Sequence, residues 1–85
     1  MPFGLVRIAP LPYARAMLKK RSVVLSGHAT SVALEPEFWR VLEAMAAGEG
    51  IGLAALLVLI DGERAERPLA SACRVAALDW AMGRR

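Results

Sequence analysis

The sequence predicts a mainly α domain with a short β-ribbon, and three observations support this fold class. Residues 29–34 alternate between apolar and small or polar side chains, which is typical of a strand with one buried side. Directly after Pro36 the apolar period changes to that of a helix. A glycine-rich corner at residues 48–52 then separates this helix from a second apolar segment, so the order is strand, helix and helix.

The predicted strand has an apolar side and a side of small residues. The apolar side comprises Thr30, Val32 and Leu34, and the small side comprises Ala29, Ser31 and Ala33. Residues 22–26 form another β-branched run, and the turn signal Gly27-His28 follows it, so we expect the two segments to pair as a hairpin. His28 is the only histidine; it is either a phosphate contact or pH-sensitive group, or a turn residue, and we favour the turn residue.

The first helix is predicted to begin at Glu35-Pro36-Glu37. Proline is tolerated at the first helical position, and early carboxylates suit the positive end of the helix dipole. The predicted buried stripe comprises Phe38, Leu42, Met45 and Ala46, with Trp39 and Val41 on its shoulders. We expect Gly48 and Gly50 to end this helix, because glycine adopts the left-handed conformation without steric strain.

Residues 53–60 are almost wholly apolar, a pattern that fits either a strand or a buried helix. Good helix formers in this run and a stop signal at Asp61-Gly62 favour a second helix. The charged residues 61–68 predict an exposed connection, and residues 69–82 predict a third helix with a broad apolar face. Gly83 then ends that helix, and residues 83–85 form a basic tail.

Length and composition predict one small domain that associates with itself. A chain of 85 residues is marginally stable alone, and 56% hydrophobic residues exceed what such a small monomer can bury. The apolar run at residues 53–60 is far shorter than the ~20 residues of a membrane span, and no secretory signal pattern is evident. Together with the single Cys73, these features predict a cytoplasmic protein that does not enter a membrane.

Catalytic and metal chemistry are not expected from this sequence. The acidic residues of the first helix have no histidine or nucleophile at a spacing that would make a general base. One histidine and one cysteine cannot complete a zinc tetrad, so we expect no metal and no cofactor. Cys73 is interpreted as a small buried residue rather than a reactive thiol. The sequence therefore predicts a protein that is not an enzyme.

Charge is distributed unevenly along the chain. Residues 1–34 contain five basic and no acidic residues, whereas residues 35–85 contain six basic and eight acidic residues. The basic part attracts a polyanion, or else it is a solvated segment that keeps an apolar protein in solution. We interpret residues 1–18 as an extended or disordered arm, with Met17 as an alternative start, and residues 19–82 as the folded domain.

Two blocks of sequence resemble a known family. The block KKRSVVLSGHATSVALEPEFW, at residues 19–39, and LASACRVAALD, at residues 69–79, are similar to a small bacterial group of ribbon-helix-helix proteins. That group belongs to the superfamily of the Arc, MetJ and CopG repressors. The resemblance implies an intertwined homodimer with an extra C-terminal helix, in which each chain donates a strand to a ribbon that enters the major groove of DNA. A hairpin would add a further strand on each side of that ribbon.

The resemblance also implies which residues carry each role. DNA base contacts fall on Ala29, Ser31 and Ala33, although only Ser31 can form a hydrogen bond with a base. DNA backbone contacts fall on Lys19, Lys20 and Arg21, and on the start of the second helix at Gly52, Leu53 and Ala54, where only backbone donors are available. The implied dimer core comprises Val32, Leu34, Phe38, Leu42, Met45, Leu56, Leu57 and Ile60.

Two functions fit these observations. The first is a dimeric DNA-binding transcriptional regulator with weak or unusual base readout, because two of the three reading positions are alanine. The second is a dimeric protein-interaction module, antitoxin-like or scaffolding, that keeps the fold and uses the third helix or the N-terminal arm to hold a partner. Duplex binding and its dependence on salt distinguish the two.

Overall fold

The computed structural model describes residues 17–85, which form a β-hairpin followed by three helices. The elements are β1 (Lys19–Leu25), β2 (His28–Leu34), α1 (Pro36–Glu49), α2 (Leu53–Glu63) and α3 (Leu69–Ala81). The mainly α class with a short ribbon and a third helix is confirmed. The predicted arm lies outside the described residues except for Met17 and Leu18, so its order and the alternative start stay predictions.

The predicted hairpin is confirmed, and its turn lies one residue earlier than the signal Gly27-His28 indicates. β1 and β2 are antiparallel, with Lys19 opposite Leu34 at the open end and Leu25 opposite His28 beside the turn. Ser26 and Gly27 form the turn with φ angles of 52° and 80°. Two positive φ angles are typical of a two-residue turn whose twist matches that of the strands. Interpreting His28 as a turn residue is therefore wrong, because His28 already opens β2.

α1 begins and ends close to the predicted positions. Pro36 is its first residue, and Gly50 ends it with a φ of 70°. The N–H of Gly50 donates to Ala47 O at 3.1 Å, and the N–H of Ile51 donates to Ala46 O at 3.0 Å, so carbonyls of the last turn are satisfied. Gly48 does not end the helix as expected, because it lies within the last helical turn.

α2 is a helix, as favoured, but its predicted end is wrong. The helix continues through Asp61-Gly62 and ends at Glu63. One glycine in a helix costs only about 1 kcal/mol, and the Asp61 carboxylate accepts a hydrogen bond from Arg64 Nε at 2.7 Å across this last turn. The chain leaves the helix at Arg64 and Ala65, where Ala65 has a φ of 55°.

α3 agrees with the third predicted helix to within one residue. It ends at Ala81, and Gly83 follows with a φ of 77°. The Arg84 N–H donates to Asp79 O at 2.7 Å, which closes the helix end. Glycine at this position therefore acts as the predicted stop signal.

One continuous apolar core joins the hairpin to all three helices. Its buried residues are Val23, Leu25, Val32, Leu34, Trp39, Leu42, Met45, Ala46, Leu56, Leu57, Ile60, Ala72, Cys73, Ala76 and Ala77. Seven of the eight residues predicted for a dimer core are already buried within this single chain, and Phe38 is half-buried. The strand β1 and the helix α3 supply much of the packing that makes this possible.

Trp39, and not Phe38, is the buried aromatic residue of α1. Only 2% of Trp39 is exposed, although the sequence pattern assigned it to the shoulder of the stripe. Its Nε1 donates a hydrogen bond to Lys19 O at 2.8 Å, and Arg21 lies 4.7 Å from the ring centroid. The ring is therefore covered by β1, whose position above α1 does not follow from the helical period alone.

Within residues 17–85, no single helix is long and apolar enough to cross a membrane. Taken together, α1 and α2 have the length and apolar composition of a membrane span, but the two helices meet at a bend of 99°.

Candidate nucleic-acid interface

The register of the hairpin assigns each of its residues to one of two faces. Directly opposite residues of an antiparallel pair lie on the same face, and successive residues alternate between faces. The inner face, which packs on the helices, comprises Lys19, Arg21, Val23, Leu25, His28, Thr30, Val32 and Leu34. The outer face comprises Lys20, Ser22, Val24, Ala29, Ser31 and Ala33.

The three residues implied for base contacts lie together on the outer face. Ala29 and Ser31 are exposed and Ala33 is half-buried. Each has a direct neighbour on β1, since Val24 is opposite Ala29, Ser22 is opposite Ser31, and Lys20 is opposite Ala33.

Sequence reasoning missed Ser22 and Val24 as members of this face. The hairpin was predicted, but its register was not. The two-residue turn at Ser26-Gly27, once recognised, fixes that register and brings both residues opposite β2.

The basic cluster at residues 19–21 is divided between the two faces. Lys20 is exposed on the outer face, whereas Lys19 and Arg21 belong to the inner face. Arg21 Nη1 lies 2.6 Å from Glu43 Oε2, and its guanidinium stacks over Trp39. Arg21 is therefore engaged with α1, and Lys20 is the cation that the hairpin presents on its outer side.

The start of α2 offers backbone donors without a side-chain cap. Gly52 is extended, with a ψ of 163°, and no side chain caps the helix. The first intrahelical bond runs from Leu56 N–H to Gly52 O at 3.1 Å, so the N–H groups of Leu53 and Ala54 precede the helical ladder. Gly52 and Ala54 are exposed and Leu53 is half-buried. This geometry suits an anion at the positive end of the helix dipole.

Arg74 on α3 contacts the junction between β2 and α1. Its Nε lies 3.0 Å from Glu35 Oε1, and its guanidinium lies 5.7 Å from the centroid of the Phe38 ring. The pKa of the Glu35 carboxyl lies below its ordinary value because a backbone N–H of the same residue and Arg74 both donate hydrogen bonds to it. The junction between ribbon and helices is thus tied to α3.

A groove of about 230 Å³ runs between the C-terminal half of α2 and α3. Its apolar lining comprises Ile60, Ala72, Val75 and Ala76, and its charged lining comprises Glu63, Arg64, Arg67, Asp79 and Arg85. The basic tail contributes to this surface, because Arg85 pairs with Glu63 at 2.8 Å and Arg84 pairs with Asp79 at 2.8 Å. Next to Val75 on α3, the apolar side chains of Leu78 and Met82 are about half exposed.

Cys73 lies in the core, where burial raises the pKa of its thiol to about 11. A thiol with this pKa carries almost no thiolate near neutral pH, so it is a poor nucleophile. In the described part of the chain, histidine, cysteine and carboxylate side chains do not gather in groups of three that could hold a metal ion.

A two-stranded ribbon followed by two helices that meet at a glycine corner defines a class of protein. The sequence model of the ribbon-helix-helix domain matches residues 18–81, so the chain belongs to the ribbon-helix-helix family. Domains of this family generally form dimers and bind DNA, and they act as regulators or antitoxins rather than as enzymes.

Among solved structures, the chain is similar to an uncharacterized protein from Bordetella pertussis Tohama I. The two share 35% sequence identity with a TM-score of 0.67, and the match covers 92% of this chain. The chain spans 64% of the length of that protein. No curated protein matches the chain.

Proposed function

We propose that this chain is a bacterial, cytoplasmic DNA-binding regulator of transcription that acts as a homodimer and inserts its ribbon into the major groove. The observation that carries the proposal is the outer face of the hairpin. Apart from the half-buried Ala33, the residues of this face are exposed; the face bears Lys20 and is otherwise built from uncharged side chains. It takes no part in the core, so it is available to a ligand.

The dimensions of the ribbon match those of the major groove. Two strands lie about 4.8 Å apart, and a groove about 12 Å wide admits a two-stranded ribbon. The short side chains of Ala29, Ser31 and Ala33 allow close approach to the base edges. Ser31 supplies a hydroxyl that donates and accepts, and the alanines supply apolar contact with a thymine methyl group. The expected readout is therefore weak.

Phosphate contacts are assigned in this proposal to two groups. Lys19 and Lys20 lie at the open end of the hairpin, and Gly52, Leu53 and Ala54 provide backbone N–H groups at the start of α2. Arg21 reaches a phosphate only if it leaves Glu43, an exposed ion pair worth at most about 1 kcal/mol. We therefore expect Arg21 to contribute less to phosphate binding than Lys19 and Lys20.

Two features of the surface support the proposal of a homodimer: exposed apolar side chains on α2 and a strand edge with no neighbouring strand in the described residues. On α2, Val58 and Leu59 are about half exposed, and among residues 17–85 the second edge of β2 has no neighbouring strand. Exposed apolar side chains and free strand edges both favour contact with another chain. In a dimer, Phe38 would join the core residues that are already buried in each copy.

A second candidate function is a protein-interaction module, antitoxin-like or scaffolding. The exposed apolar residues Val75 and Leu78 on α3 and Met82 just after it, beside the charged groove, favour this alternative. It requires no contact between the outer face and a nucleic acid.

A salt titration of duplex binding tests the proposal. Affinity should fall steeply with salt, and the variant Lys19→Gln with Lys20→Gln should flatten the slope of log K against log salt by about 0.9 for each phosphate that the lysines no longer neutralise. The matched control, Arg67→Gln on the rim of the α2–α3 groove, also removes positive charge and should keep the original slope. If the wild-type chain binds no duplex even at low salt, the regulator is excluded and the interaction module remains.

A further inference from the structure

An apolar stripe runs along the outward side of α3 and ends just beyond the helix. It comprises Val75, Leu78 and Met82, whose spacing of three and then four residues places them on one side of the helix. These residues are 36%, 50% and 58% exposed. At 1.5 Å per residue the stripe is about 10 Å long, or about two helical turns. Single exposed apolar residues are common, whereas a contiguous row of them is typical of an interaction surface.

The apolar stripe borders the groove between α2 and α3, because Val75 belongs to both. The volume of this groove, about 230 Å³, is below the roughly 300–1,000 Å³ of pockets that enclose small molecules. The apolar surface also continues past the groove to Leu78 and Met82. A ligand that covers the whole surface is therefore longer than the groove, and an amphipathic helix of about two turns has the required length and the required apolar spacing.

The charges around the groove favour an acidic ligand. Glu63 is already paired with Arg85 at 2.8 Å. Asp79, the other carboxylate of the lining, is paired with Arg84 at 2.8 Å. Arg67 also lines the groove, and among residues 17–85 it has no ion-pair partner. A basic ligand would compete with two existing arginine partners, whereas an acidic ligand meets an unpaired guanidinium that can bind a carboxylate with two hydrogen bonds.

The groove and the apolar stripe are separate from the surfaces that support the homodimer. Val58 and Leu59 precede Ile60 by two residues and by one residue, which corresponds to rotations of about 200° and about 100° around α2. Ile60 lines the groove, so the two exposed residues face away from it. The unpaired edge of β2 belongs to another element. A dimer formed through those surfaces therefore leaves the groove and the stripe accessible.

We propose that the groove and the apolar stripe bind an acidic amphipathic helix of a partner protein. Apolar side chains of that helix, spaced by three and four residues, cover Val75, Leu78 and Met82, and a carboxylate beside them binds Arg67. The proposal does not rest on DNA binding. It gives the regulator a second surface, and it names the class of partner that the alternative interaction module would hold.

Selection of displayed helical peptides against the full chain tests the class of partner. From a library randomised along the helix, the enriched peptides should carry apolar residues at positions i, i+3 or i+4, and i+7, flanked by aspartate or glutamate. One enriched peptide, labelled with a fluorophore, then serves as the probe for affinity measurements by fluorescence anisotropy without DNA.

The stripe is tested by the double variant Leu78→Ser with Met82→Ser, which should weaken binding of this peptide by at least about 10-fold because two apolar contacts are lost. The control, Met17→Ser, changes an exposed apolar residue that precedes β1 and should leave the affinity unchanged. Thermal unfolding checks that both variants remain folded.

Charge reversal tests the acidic character of the partner. Arg67→Glu should weaken binding of the acidic peptide by about 3- to 5-fold, and it should favour a version of the peptide in which lysines replace the acidic residues. The matched control is Arg40→Glu, which makes the same charge change at an exposed residue of α1 outside the groove lining. It should leave the affinity for both peptides unchanged.

The other outcomes overturn the proposal. It fails if no peptide is enriched, if the enriched peptides are basic or uncharged, or if the stripe variant binds the probe as well as wild type does. A lower molar mass of the stripe variant in light scattering would assign the surface to a second copy of the chain. Binding of the wild type, but not of this variant, to anionic lipid vesicles would assign it to a membrane. If peptide binding is as expected and the wild type binds no duplex at low salt, the regulator is excluded while this site stands.

Discussion

The fourteen residues of β1 and β2 are divided between the two faces of the hairpin, and these faces differ in almost every property. The inner face contributes four buried apolar side chains and an arginine stacked on a tryptophan. The outer face has no buried residue and carries Lys20 as its single charge. Because neighbouring residues alternate between faces, the fold and the candidate binding surface are encoded in alternate positions. One set can therefore change without disturbing the other.

Truncation of an inner-face residue should give the largest difference between the faces. Leu34 is fully buried, so Leu34→Ala should lower the free energy of unfolding by about 2–5 kcal/mol. The matched outer-face variant, Val24→Ala, changes a residue that is 61% exposed and should stay within about 0.5 kcal/mol of wild type. Urea unfolding at one fixed protein concentration measures both. Equal losses would contradict the division into faces.

A smaller effect is expected where β1 is attached to α1. Trp39→Phe keeps an aromatic ring in the core but removes the donor to Lys19 O, which should destabilise the chain by about 1–3 kcal/mol. Loosening of β1 should also speed tryptic cleavage after Lys19, Lys20 and Arg21. The control is Trp80→Phe, which alters a half-buried ring on α3. If both variants are cleaved at the same rate, Trp39 does not hold β1 in place.

The smallest effect concerns the pH dependence of the junction between β2 and α1. Folding lowers the pKa of Glu35 from its ordinary value of 4.5, so the carboxylate stabilises the fold above that value. This stabilisation is lost as the pH falls below 4.5 and through the folded pKa. Since Glu35 is partly exposed, we expect only about 0.5 kcal/mol, measured by unfolding from pH 6 to pH 3.

Glu35→Gln should therefore lower stability at pH 6 and flatten its dependence on pH. Glu37→Gln, which removes an exposed carboxylate from the same helical turn, separates loss of the Arg74 pair from loss of charge alone. A pH profile for Glu35→Gln as steep as that of wild type would argue against the role of this pair.

Local sequence signals were sufficient for most of the fold. The alternation of β2, Pro36 at the start of α1 and Gly50 at its end act within a few residues, so each element could be predicted from its own segment. The end of α2 was missed because Asp61 and Arg64 form a local pair that carries the helix through Gly62.

The candidate site was predicted only in part, because half of it depends on contacts between distant segments. The shared face of Ala29, Ser31 and Ala33 follows from the period of one strand. The addition of Ser22 requires the register, which depends on the turn lying at Ser26-Gly27 rather than at Gly27-His28. The burial of Trp39 instead of Phe38 also depends on contacts between distant segments, because β1 lies over α1 and covers the Trp39 ring.

The two-residue turn at Ser26-Gly27 restricts how this surface can evolve. If one residue were inserted there and the turn kept two residues, β1 would shift by one position, and every side chain of that strand would move to the opposite face. Lys19, Arg21 and Val23 would then point to solvent, while a lysine and a serine would be forced against the helices. New ligand preferences can therefore arise more readily through point substitutions at alternate positions of the strands than through insertions that change the register.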